Sequence, residues 1–248
     1  MNFTERSYRQ HHRQEDLVHF QMVVEETDLD IGVRKERFST QLVEWVEETI
    51  RACRGPLEDY VRRDPGFLKA LTPYPVLSDA PLIVQTMAEA GRLAGVGPMA
   101  SVAGAVAEWV GRAIGKRSRD VIVENGGDIY MRTSRIRKVG VFAGDSPLTN
   151  RVAIEIRPDQ TPLGICTSSG KVGHSLSFGK ADAVVVLSPS VALADAVATA
   201  CGNLIQTVDD LERTLEFASK ITGVTGVLLI KDDRLAVQGS VKLIPMNI

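Results

Sequence analysis

Cysteine is scarce in this chain of 248 residues: Cys53, Cys166 and Cys201 are odd in number and far apart, with no CxxC pair or Cys/His cluster at metal-ligand spacing. A disulfide framework and a cysteine-built zinc site are thereby excluded, and the three thiols are expected to be reduced and buried as small apolar residues. An excess of charge is missing too, since 29 basic residues stand against 31 acidic ones. That balance carries no footprint for nucleic acid or an anionic membrane, and leaves small molecules and proteins as the expected partners. The most apolar stretch, Leu93 to Ile114, is mostly Ala and Gly and is interrupted by Pro98, Glu108 and Arg112, which argues against a transmembrane helix. The opening MNFTERSYRQHHRQED has no apolar core of a secretory signal, so a cytoplasmic protein is expected. Internal repeats and low-complexity tracts are also lacking.

What is present reads as an α+β, or mixed α/β, chain without regular βαβ alternation. Val18, Phe20, Met22 and Val24 alternate as in a half-buried strand, with a turn expected near Thr27 to Asp30 and a second strand ending near Val33. Ser39 or Thr40 can cap an amphipathic helix carrying Leu42, Val43, Trp45, Val46 and Ile50, which Gly55 is expected to stop. A shorter helix from Pro56 to about Arg63 follows, then a Pro-bearing connector, 72–81, the natural place for a hinge within a domain spanning 1–248. Helices are expected over 82–94 and on to about Ile114. Strands then dominate (DVIVE, IYMR, VGVFAG, VAIEI, PLGICTS, ADAVVVLS), interrupted by a helix from Ser190 to Ala200. A last helix from Val208 precedes two strands around Lys231 to Arg234.

Three segments offer chemistry. Asn125, Gly126, Gly127 and Asp128 follow an apolar strand; paired glycines expose backbone N–H groups and the Asp adds a carboxylate, although an ordinary hairpin turn reads the same way. Asp195 and Thr199 lie four apart in a helix of small apolar residues, which stacks a carboxylate and a hydroxyl on one face. Such hard oxygens suit Mg²⁺, and a carboxylate bonded to nearby backbone is the structural alternative. Thr167, Ser168, Ser169 and Gly170 follow a strand and lead to Lys171 and His174; these could hold a phosphate and move a proton, or form a surface hairpin. Neither a P-loop nor a GxSxG elbow occurs. His11, His12 and His19 lie in or beside the polar arm and are expected to face solvent.

The order of these segments is more specific than any one of them. VENGGDIY, a strand pair, CTSSG with His174 four residues on, then VVVLSPS and ADAVATA resemble the ApbE-like superfamily of FAD:protein FMN transferases. The Ala/Gly-rich segment MASVAGAVAEWVG is similar in place to that family's Gly-rich helix, so the resemblance spans about Pro98 to Asn203. It implies an ApbE-like fold of mainly antiparallel sheets with packed helices, in a sister branch of the transferases. It also implies FAD as ligand or substrate, Mg²⁺ held by Asp195 and Thr199, and a flavin-proximal turn at Asn125 to Asp128. Thr167 to Gly170 with His174 would wall the nucleotide, and an acceptor protein and self-association are admitted. The family's Lys is replaced within Val102-Ala103-Gly104, and its His-x-x-Asp-Pro-x-Thr-Gly motif by His174-Ser175-Leu176-Ser177-Phe178-Gly179. FMN transfer, FAD hydrolysis and noncatalytic flavin binding therefore all stay open.

Overall fold

The computed structural model describes residues 14, 16–169 and 179–246. Strands β1 (Leu17–Val24) and β2 (Thr27–Arg34) pair residue for residue from Leu17 opposite Arg34 to Val24 opposite Thr27. The reversal therefore falls on Glu25 and Glu26, not on Thr27 to Asp30 as their turn-forming composition implies. Inside β2, Asp28 accepts from Gln21 Nε2 at 2.8 Å and Asp30 accepts from His19 Nδ1 at 2.9 Å. Those bonds let two acidic residues occupy strand positions. His19 is not solvent-facing either: its side chain is 6% exposed. Gly32, directly opposite, leaves the space, since a Cβ there would lie 2.8 Å from the imidazole.

Helix α1 (Thr40–Arg63) starts at Ser39, whose Oγ accepts from the Leu42 N–H at 3.1 Å. It does not stop at Gly55; it runs through Pro56 for two more turns. An interior proline forfeits a hydrogen bond, but Ile50, Cys53, Leu57 and Tyr60 continue one buried stripe past it, and that burial outweighs the loss. α2 (Pro65–Lys69) follows, and the connector 72–81 is tied back by Tyr74 Oη donating to Asp64 at 2.8 Å and the Leu77 N–H donating to Tyr60 Oη at 3.0 Å. α3 (Leu82–Ala94) ends at Gly95 in the left-handed region, φ 75°, and a short 3-10 turn leads into α4 (Val102–Gly115). Among the described residues no single helix is long and apolar enough to cross a membrane.

The remaining elements are β3 (Val121–Asn125), β4 (Asp128–Arg132), β5 (Arg137–Gly140), β6 (Val152–Ile156), β7 (Leu163–Ser168), β8 (Ala183–Ser188), α5 (Val191–Leu204), α6 (Leu211–Ser219), β9 (Gly226–Lys231), β10 (Arg234–Gly239) and β11 (Lys242–Pro245). Among the described residues, eight strands form one antiparallel sheet in the order β1-β2-β3-β4-β7-β8-β9-β10, and β11-β6-β5 form a second. The fold is thus mixed α/β with antiparallel sheets and packed helices. β11 is an element the sequence did not announce: its KLIP run is short and ends in proline.

Three layers result. Val184, Val186, Val227 and Leu229 turn one face of the large sheet toward the helices, while Val185, Leu187, Leu228 and Ile230 turn the other toward the small sheet. Burial on both faces explains why β8 and β9 read as unbroken apolar runs. α5 is apolar nearly all round because it lies inside the helix layer, against α3, α4, β7 and β8.

α4 crosses the sheet closely at Gly111, where an added Cβ would lie 2.1 Å from Cδ1 of the buried Tyr130 ring. Gly111→Ala should therefore lower stability by about 1–3 kcal/mol despite alanine's better helix propensity. Urea unfolding checks this; unchanged or increased stability would show that the helix can lift off the ring at no cost.

Candidate functional site

Strand register brings three polar side chains into one row. Asn125 pairs with Asp128, and Asp128 with Cys166, so all three point from β3, β4 and β7 to the same side of the sheet. That side is the helix face, because Val123 and Tyr130 on it belong to the helix-side core. Gly126 and Gly127, at φ 65° and 105°, make the two-residue hairpin turn between them. The Gly127 N–H donates to Glu124 Oε1 at 2.8 Å, and Asn125 Nδ2 donates to the Ala103 carbonyl at 3.1 Å. The Asn-Gly-Gly-Asp segment is accordingly both an ordinary hairpin turn and one end of a buried polar row.

The roof comes from α4 and α5. Gly104, in the first turn of α4, gives its N–H to Asp195 Oδ2 at 2.8 Å. A Cβ at Gly104 would lie 2.6 Å from the Val191 carbonyl oxygen and 2.8 Å from Asp195 Cβ, so the two helices approach this closely only with glycine there. Glu108, one turn further along α4, accepts from the Val191 N–H at 2.7 Å, and Arg112 holds its other oxygen at 2.7 Å. A carboxylate at a helix N-terminus is stabilising, so Glu108 and Gly104 fasten α5 to α4 at two successive turns.

Asp128 and Asp195 meet inside this enclosure, 6% and 9% exposed. Asp128 accepts from the Thr167 N–H, yet its Oδ1 has no hydrogen-bond partner; the neighbouring Cys166 thiol donates instead to the Val191 carbonyl at 3.4 Å. Burial, then the charge of Asp195, and Glu124 push its carboxyl well above the usual range. Burial raises Asp195 to about 7 against the opposing Gly104 N–H. Cys166 is raised well above its ordinary value by burial and by both carboxylates, so it stays a neutral thiol and a hydrogen-bond donor, not a nucleophile.

Of the residues singled out from the sequence, Asn125, Asp128 and Asp195 converge, with the Gly126–Gly127 turn alongside. A Cβ on Gly127 would sit 3.6 Å from the Thr167 carbonyl oxygen, which places Thr167 beside that turn. Ser168 is buried, Ser169 half-buried, and Thr199 lies half-buried one turn along α5 from Asp195. Gly170 and His174 lie outside the described residues, as do His11 and His12. Cys166 and Glu108 escaped the sequence reading, one as a generic buried thiol and the other as a mere interruption of an apolar run. Gly104 was visible only within the Ala/Gly-rich segment, at the place where the family carries its Lys. Among the described residues no three His, Cys, Asp or Glu side chains gather into a metal-binding group.

A family profile described as AbpE bacteria matches residues 9–231. A UPF0280 protein of Methanococcus aeolicus is 38% identical over 230 residues, covering 91% of each chain. One from Methanocella arvoryzae is 44% identical over 193 residues, 77% of this chain and 78% of its own. In fold, the flavin transferase ApbE from Vibrio cholerae matches with a TM-score of 0.53 at 14% identity, over 90% of this chain and 97% of that one. The apo form of the Pseudomonas stutzeri flavinyl transferase ApbE gives 0.55 at 13%, over 90% and 94%. At identities this low the likeness shows the fold alone.

A raised carboxyl pKa has a definite sign in folding. The folded state holds a proton on Asp195 that the unfolded chain releases near 3.8, so the associated stability is full below that value and lost as pH rises through about 7. Asp120, whose burial is overcome by hydrogen bonds from Ser134, Arg34 and Thr133 that bring it to about 2, acts only at lower pH. In EDTA the thermal midpoint should fall between pH 5 and 7.5, and Asp195→Asn should flatten that fall. A wild-type profile that the substitution leaves unaltered would contradict this assignment.

Proposed function

The chain belongs to the family described as AbpE bacteria, and on that premise we propose that it binds FAD in the cytoplasm and, with Mg²⁺ at Asp195 and Thr199, cleaves the flavin diphosphate to release AMP. The observation that carries this reading is the buried carboxylate pair, one of whose oxygens, Asp128 Oδ1, lacks any partner. An unpaired carboxylate in a protein interior is costly. Mg²⁺ usually takes one or two carboxylates and completes its shell with water and substrate phosphates. Asp195 and Thr199, four apart on α5, supply such a donor set, and Asp128 lies across from it on β4. The fit supports a cation there, although the residues would also serve a different flavin nucleotide.

When bound, Mg²⁺ would supply neutralisation of charge developing on the phosphate oxygens. The chain's own residues divide the remaining work. Asn125, Gly126, Gly127 and Asp128 form the flavin-proximal wall, held by the Asn125 side-chain amide donating to the Ala103 carbonyl and the Gly127 N–H donating to Glu124. Thr167, Ser168, Ser169 and Gly170 line the nucleotide side, and His174 takes the proton of the attacking hydroxyl. That oxygen bonds to the FMN-side phosphorus as the P–O bond to AMP breaks, and AMP leaves with the electron pair. A Ser or Thr of an acceptor protein makes the product flavinylated protein; water makes it free FMN. The replaced family motif around His174 favours water. Cys166, beside Asp128 on β7, ties the sheet to α5 by donating to the Val191 carbonyl, and the whole is taken as one ApbE-like domain.

Purified protein incubated with FAD and Mg²⁺ should release AMP and FMN in equal amounts. EDTA should abolish the release, and Asp195→Ala should slow it at least about a hundredfold. Saturable flavin binding without AMP would replace the enzymatic reading with a noncatalytic flavin-binding one. Absence of both would overturn the flavin assignment.

A further inference from the structure

At the opposite end of α4 from Gly104 the surface has a different character. The helix ends at Gly115, and Lys116, Arg117 and Arg119 follow before β3. Arg132, closing β4, donates to the Gly115 carbonyl, and Arg34 and Arg37 come from the end of β2. These six cations line one open hollow of about 420 Å³ in which Glu36 is the acidic residue. In a chain whose formal net charge is −2, so local an excess of positive charge runs against the whole.

The fold uses only part of it. Arg34 is locked by Asp120 at 2.5 Å and lies 3.6 Å from Glu36, and Arg117 rests over the Trp45 ring with its guanidinium carbon 3.8 Å from the centroid. Arg132 caps α4, and a cation or two near a helix C-terminus offsets the helix dipole. Among the described residues, however, no carboxylate lies within ion-pair distance of Arg37, Lys116, Arg119 or Arg132, and all four are exposed. Like charges gathered this closely repel, and the helix end and Glu36 offset them only in part.

Three features narrow the occupant. Guanidinium groups offer paired donors that match phosphate oxygens, and Arg117 is already held in place over Trp45. A hollow of 420 Å³ lies within the roughly 300–1,000 Å³ of small-molecule sites. The helix end is a C-terminus, whose carbonyls repel anions, so the attraction must come from side chains and demands a multiply charged ligand. We infer that this hollow binds a small oligophosphate, the phosphate chain of a nucleotide or of inorganic polyphosphate. It is a second site: Gly104 and Gly115 are about 17 Å apart along α4 at 1.5 Å per residue.

The test is calorimetric titration of the full chain with inorganic tripolyphosphate in EDTA at low ionic strength, so that the carboxylate pair has no metal to bridge it to the ligand. One ligand per chain should bind. Lys116→Ala/Arg119→Ala should weaken it at least about tenfold, since a charge-assisted hydrogen bond is of that order, while Asp195→Ala leaves it unchanged. ATP in place of tripolyphosphate, binding with similar affinity and the same dependence on Lys116 and Arg119, would assign the nucleotide as a source. No saturable binding, binding indifferent to the double substitution, or loss in Asp195→Ala would overturn the inference. So would binding of an acidic peptide by a surface that ignores tripolyphosphate.

Discussion

The hydrogen bond from the Gly104 N–H to Asp195 Oδ2, 2.8 Å long, sets how closely α4 and α5 pack and so what is buried beneath them. Any side chain at position 104 would strike the Val191 carbonyl or Asp195 itself. With glycine there, α5 packs directly beside α4 on the large sheet, and its residues must be small and apolar on nearly every side. Asp195 is the exception, brought over the row formed by Asn125, Asp128 and Cys166. The packing that stabilises the helix layer therefore strips two carboxylates of water. Thr167 N–H and Gly104 N–H compensate in part, and Asp128 Oδ1 is left without a partner.

The parts of this arrangement that depend on side-chain chemistry along one segment were legible in the sequence. Asp195 and Thr199 share a helix face by simple spacing, and the Asn125 to Asp128 turn announces itself by its glycines. Parts that depend on pairing between distant strands were not. Cys166 meets Asp128 only because β4 and β7 are neighbours, although two strands of the other sheet intervene in sequence. Likewise Asp28 and Asp30 look like turn residues until Gln21 and His19 are seen across the ladder, and His19 is buried because position 32 opposite it is glycine. Helix α1 overrode its own Gly55-Pro56 signal because Leu57 and Tyr60 had a core to enter. In each case a tertiary partner outweighed a local preference.

α4 thus spans two regions of opposite charge. Its N-terminal turn sits over buried acids, where burial makes a cation or a proton necessary; its C-terminal end opens onto exposed bases gathered from β2, β4 and the 116–119 loop. The charge balance of the whole chain, nearly even, conceals this separation. A nucleotide diphosphate presented with a metal suits the first region, and a bare phosphate chain suits the second.

The central claim is that Asp195 and Asp128 hold protons that a divalent cation displaces. Titrating Mg²⁺ into the protein near pH 6.5, in buffers of different ionisation enthalpy, measures that displacement directly. The account predicts net proton release on binding, lost together with Mg²⁺ affinity in Asp195→Asn. Binding without proton release, or binding that Asp195→Asn leaves intact, would contradict it.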